Sequence, residues 1–165
     1  MGEQVRIRLA AVVTALAFVA ACGTDVPAGL AAKVESGCPG LLKPEPLAII
    51  TKGFEVSQVS SAEADSCQVF VSTGKKVLTL GLVAYASQEE SERLTPMLCT
   101  SGVLDPQTKS CEAGQPGDGA LSVHAVAGRW NVRVYVYEVP ANDEIKEAVQ
   151  QIIEDLRSSD KTGNS

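Results

Sequence analysis

Histidine is almost missing from this sequence of 165 residues: His124 is the only one. A hydrolase built on serine needs an imidazole beside its nucleophile and a carboxylate beyond it, so such chemistry would have to run through that residue. Ser101, Ser110 and Asp118 are candidate partners only by nearness in sequence, and no Gly-x-Ser-x-Gly occurs. There is no Gly-x-Gly-x-x-Gly and no P-loop, which removes the usual dinucleotide and nucleoside-triphosphate signatures. No two cysteines stand at zinc-ligand spacing. A basic surplus is missing too. The formal net charge is −6, which argues against nonspecific nucleic-acid binding and against a polybasic lipid-binding surface.

A spanning apolar run is also absent from the N-terminus. The uncharged stretch from Leu9 to Ala21 is about a dozen residues long, where a transmembrane helix needs about 20. That length, behind Arg6 and Arg8, fits the apolar region of an export signal. Ile7 separates the two arginines, so no twin-arginine signal is present. Val19-Ala20-Ala21-Cys22 closes the stretch with an aliphatic residue, two small residues and a cysteine, the pattern of a lipobox. Cys22 is therefore the expected lipidation site, with cleavage before it. Each buried acyl methylene contributes about 0.8 kcal/mol, so two or three chains hold a domain on a bilayer. The expected address is the extracytoplasmic face of the cell membrane. The leader's Arg6 and Arg8 outweigh Glu3, so the remainder is more acidic than the whole.

Setting Cys22 aside leaves Cys38, Cys67, Cys99 and Cys111. Four thiols in an exported chain imply two disulfides, with three possible connectivities. Cys38–Cys67 and Cys99–Cys111 are preferred, because local folding can bring each pair together.

The expected organisation is a lipoprotein signal peptide over 1–21, a flexible tether over 22–37, one globular domain over 38–158 and a disordered tail over 159–165. The tether's composition gives it a reach of roughly 20 Å. Pro44 and Glu45 suit the first turn of a short helix with Leu47, Ile49 and Ile50 on its buried side, and Gly53 suits its stop. Strands are expected over 55–59, 66–72 and 77–85, the second burying Cys67, Val69 and Val71. Leu78, Leu80 and Leu82 share one face of the third, with Val77 and Val83 on the other, which marks a central strand. Ser87 and Glu90 form a capping box for a helix ending near Pro96. A long loop over 99–119 follows. Strands over 120–126 and 130–139 form a hairpin turning at Ala127-Gly128-Arg129. Asn142 caps a last helix, and Ile145, Val149, Ile152, Ile153 and Leu156 make its apolar stripe. The sum is an α+β fold, mainly antiparallel sheet with helices packed on one face, stapled by two disulfides.

The hairpin offers the one candidate binding patch. If its strands pair, His124 shares a face with Arg133, Tyr135 and Tyr137, residue types enriched where proteins meet partners. The same residues also suit an ordinary sheet face with the tyrosines packing across strands. Trp130, at the turn, fits either a rim or the core.

Cys-Pro-x-Leu-Leu (Cys38 to Leu42) before a short helix, a second cysteine at Cys67, and Gly-Asp-Gly-Ala (Gly117 to Ala120) before a hairpin and closing helix resemble a group of small actinobacterial cell-envelope lipoproteins. Lys43 and Val69 depart from that pattern, where a Thr or Ser and an aromatic are usual. The resemblance implies a role in envelope maintenance or ligand binding and brings no catalytic residue. Ser72-Thr73-Gly74-Lys75 and Lys161-Thr162-Gly163 fit the motif pair of penicillin-binding enzymes. Ser72, however, precedes a turn rather than opening a helix, and Lys161 falls in the expected tail. Glu89–Glu90 and Asp143–Glu144 are explained as helix-start charges.

The expected function is thus a non-enzymatic binding or accessory module of the envelope. Its partners would be the membrane, through the lipid on Cys22, and an envelope protein or lipid ligand, not nucleic acid. No cofactor, metal or catalytic residue is expected. The alternative is a lipid or glycolipid carrier, which needs an apolar cavity lined by the Leu78 and Val132 faces. An envelope hydrolase acting through His124 is the remaining option.

Overall fold

A computed structural model describes residues 29–61, 63, 65–114 and 119–162. Cys22, the signal segment, Asp118 and Gly117 lie outside these. Six strands form one antiparallel sheet: β1 (Val56–Ser60), β2 (Ser66–Val71), β3 (Lys76–Ala84), β4 (Ser110–Glu112), β5 (Gly119–Ala127) and β6 (Trp130–Tyr137). Their order across the sheet is β1-β2-β3-β6-β5-β4. The helices are α1 (Leu30–Glu35), α2 (Cys38–Leu41), α3 (Pro44–Ile50), α4 (Gln88–Leu94) and α5 (Asp143–Thr162), with a 3₁₀ turn, Thr95–Leu98, after α4. The α+β class, the antiparallel sheet and both expected disulfides, Cys38–Cys67 and Cys99–Cys111, are present.

Strict alternation in β6 decides which side faces the core. Val132, Val134 and Val136 are fully buried and pair with Leu82, Leu80 and Leu78 of β3. On the far side they meet Ala125, Val123 and Leu121 of β5. α5 covers these rows with Ile145, Val149, Ile152, Ile153 and Leu156, all in the same core cluster. Its N-terminus is capped as the sequence predicts, with Ile145 N–H donating to Asn142 Oδ1 at 2.9 Å. Trp130, 8% exposed, belongs to this core rather than to a rim. β3 is central, but Val77 does not face away from Leu78. The register shifts opposite Val69 and Phe70, leaving Val77 outside the pairing and fully buried.

Three boundaries differ from the expectation. Leu30–Glu35 is helical where a tether is expected through Gly37, and Leu30 is fully buried in the core cluster. Gly40 explains how α1 and α2 sit together: a Cβ there would lie 2.7 Å from the Lys33 carbonyl oxygen and 2.8 Å from Ser36 Cβ. At the other end α5 continues to Thr162, past the expected start of the tail at 159, so Lys161 lies in a helix. Within the expected 99–119 loop, Ser110–Glu112 joins the sheet edge as β4.

The other sheet face is not bare. α4, opened by Ser87 accepting from Glu90 N–H at 3.1 Å, leads into the 3₁₀ turn, which crosses the Asn131 end of that face. Ser91 Oγ donates to the Trp130 carbonyl at 3.2 Å, and Asn131 Nδ2 donates to Thr95 Oγ1 at 3.1 Å.

Candidate functional site

Residues that alternate with the core valines define the second face. Register places Thr79, Tyr135 and Ser122 side by side across β3, β6 and β5. The next row holds Gly81, Arg133 and His124, and the one after it Val83, Asn131 and Val126. His124, Arg133 and Tyr135 are therefore brought together as the hairpin predicts. Tyr137 lies beyond them on the same face, with Lys76 Nζ 5.1 Å from its ring centre.

Arg133 is held rather than free. Its Nε donates to Asn131 Oδ1 at 2.8 Å. Asn131 is fully buried and is itself anchored by Thr95 Oγ1 and the Ala125 carbonyl. Among the described residues Arg133 has no acidic partner, whereas Arg93 and Arg157 pair with Glu90 and Glu154. None of the residues that the register places on this face in β2, β3, β5 and β6 is acidic. Alternation places Asn131 on the Arg133 face, but sequence reasoning missed its bond to Arg133 and the part played by Thr95. Asn131 is visible as the polar neighbour of Arg133, but Thr95 approaches from a separate element.

His124 is 5% exposed, and its Nε2 lies 3.2 Å from the Tyr135 hydroxyl with the rings edge to face. Burial, reinforced by the positive charge of Arg133, pulls its pKa down to about 4, so the imidazole is neutral at neutral pH. Burial pushes the Tyr135 phenol up. His124 Nδ1, Ser122 Oγ and Thr79 Oγ1 are buried without a hydrogen-bond partner.

The hydrolase constellation is not assembled among the described residues. Ser110 pairs with Ala125, which puts it on the sheet face opposite His124. Its hydroxyl is 2.8 Å from Thr108 Oγ1 and accepts from Gln150 Nε2 at 3.1 Å. Ser101 Oγ donates to the Val103 carbonyl. Ser72 lies in the exposed turn after β2. A pocket of about 220 Å³ opens instead between β4, β5 and α5, beside Ser110, Leu121, Val123, Lys146 and Gln150. No group of three or more metal-ligating side chains occurs among the described residues, and none of their helices is long and apolar enough to cross a membrane.

Comparison with family models, with curated proteins and with solved structures returned no match for this chain.

Proposed function

We propose that the protein is a lipid-anchored, extracytoplasmic module of the cell envelope that binds a ligand or partner through its Arg133–Tyr135 face and performs no covalent chemistry. The observation that carries the binding half is the fixing of Arg133. A fully buried asparagine orients a guanidinium that has no acidic partner among the described residues. A pre-oriented charged donor costs less to immobilise on binding. The lipobox ending at Cys22 and the two disulfides support the address, since such bridges persist in oxidising compartments. A carrier would need the Leu78 and Val132 rows to line a cavity, and those rows are 0–2% exposed and packed into one cluster.

Arg133→Ala with Tyr135→Ala should abolish recovery of the envelope partner by a chain that still folds by circular dichroism, with a lowered Tm because Asn131 Oδ1 and His124 Nε2 each lose a hydrogen bond. Undiminished recovery would remove this face from the proposal. Cys22→Ala should stop palmitate labelling and leave an unprocessed precursor; labelling that survives the change would remove the anchor.

A further inference from the structure

Buried polar groups left without partners cost about 1–3 kcal/mol each, and folded proteins keep few of them. The described residues have four such side-chain atoms, and three fall on one face in adjoining rows: Thr79 Oγ1, Ser122 Oγ and His124 Nδ1. Ser122 is 3% exposed and His124 5%. The hydroxyls can donate. So can Nδ1, once the Tyr135 hydroxyl donates to Nε2 of the neutral ring. Beside these donors stands the oriented Arg133, which has no acidic partner among the described residues. Gly81, directly opposite Arg133, leaves the centre of the face open: a Cβ there would meet nothing within 4 Å.

Resting on the binding-face reading above, we infer that Arg133, Ser122 and His124 form a subsite for an oxyanion, the carboxylate or phosphate group of a water-soluble ligand. The guanidinium keeps its terminal nitrogens for the anion, because Asn131 occupies only Nε. Ser122 and His124 lie in the next strand over, on rows shared with Tyr135 and Arg133. Strand spacing of about 4.8 Å puts Thr79 roughly 10 Å from Ser122, across Tyr135. It therefore meets the body of the ligand rather than the same oxyanion. Ser122 Oγ and His124 Nδ1 are closed to solvent, so an anion reaches them only when the packing over them shifts. The ligand is soluble rather than lipid because the sheet's apolar rows lie on the opposite face and are fully packed.

Amide and arginine side-chain resonances of the full-length chain in detergent provide the test. Sodium phosphate and sodium acetate are titrated at constant ionic strength, with chloride as control. Saturable shifts at Gly81, Ser122, His124 and Arg133 are expected from phosphate or acetate and not from chloride. Arg133→Gln should weaken them at least tenfold, while Lys52→Gln, on a remote exposed ion pair, should leave them unchanged. The inference is overturned by shifts that match chloride, by shifts that survive Arg133→Gln, or by a response only to vesicles containing phosphatidylglycerol. Failure here, with partner recovery still lost in the Arg133/Tyr135 double variant, would discard the oxyanion and keep the binding face. An unaffected double variant would discard the face itself.

Discussion

Asn131 joins the fold to the candidate site. Its amide donates to Thr95 Oγ1 and the Ala125 carbonyl, and its oxygen accepts from Arg133. Removing it strips three partners at a fully buried position. Asn131→Ala should therefore lower unfolding free energy by about 2–4 kcal/mol in a urea titration. A loss below about 1 kcal/mol would mean that the network is not holding the face. His124 makes a separate prediction. Its folded pKa, about 4, lies below the unfolded value near 6.5, so the unfolded chain binds more protons between those limits. Stability from this residue is full above about pH 6.5 and is lost as pH falls toward 4. His124→Gln should flatten the pH dependence of stability in that window; an unchanged slope would place its cause elsewhere. The shared face of His124, Arg133 and Tyr135 was legible from alternation alone. The Thr95–Asn131 bond was not, because it joins residues 36 apart through a 3₁₀ turn, and periodicity reports only within an element.

At the scale of elements, the longest amphipathic pattern was the most readable. α5 has five apolar residues on one stripe and a capping asparagine, and all five are buried in the core. α1 was unreadable for the opposite reason. Six residues with Leu30 and Val34 as the large apolar side chains are too few to show a period, and isolated helices of that length do not form in water. α1 is helical because Leu30 reaches the core and Gly40 lets α2 approach. Leu30→Ala should thus cost about 2–4 kcal/mol, as a core truncation does, whereas in a flexible tether it would cost almost nothing. Denaturant midpoints of the two proteins separate these outcomes. β4 was hidden for a similar reason, since three residues cannot display alternation. Gly128, first in the two-residue loop between β5 and β6, has φ +55°. Glycine in that position suits a II′ hairpin. Gly128→Val should destabilise by at least about 1 kcal/mol, read as a fall in Tm.

Across the whole molecule, the disulfides tie the less regular parts to the sheet. Cys38–Cys67 fixes α2 to β2, and Cys99–Cys111 fixes the segment after the 3₁₀ turn to the edge strand β4. Spans of 29 and 12 residues correspond, by loop-closure entropy, to about 3.5 and about 3 kcal/mol. Both pairings were legible because each closes a short stretch of chain, 29 and 12 residues; the sheet order was not, because β6 enters between β3 and β5 only through tertiary packing. The proposed function places an oxidised domain outside the cytoplasm on a lipidated Cys22. Intact mass spectrometry of the protein extracted from its native membrane tests it most directly. A chain beginning at Cys22, carrying diacylglycerol and lacking four thiol hydrogens, is the predicted species. A mass that still includes residues 1–21, with all five sulfurs free, would contradict it.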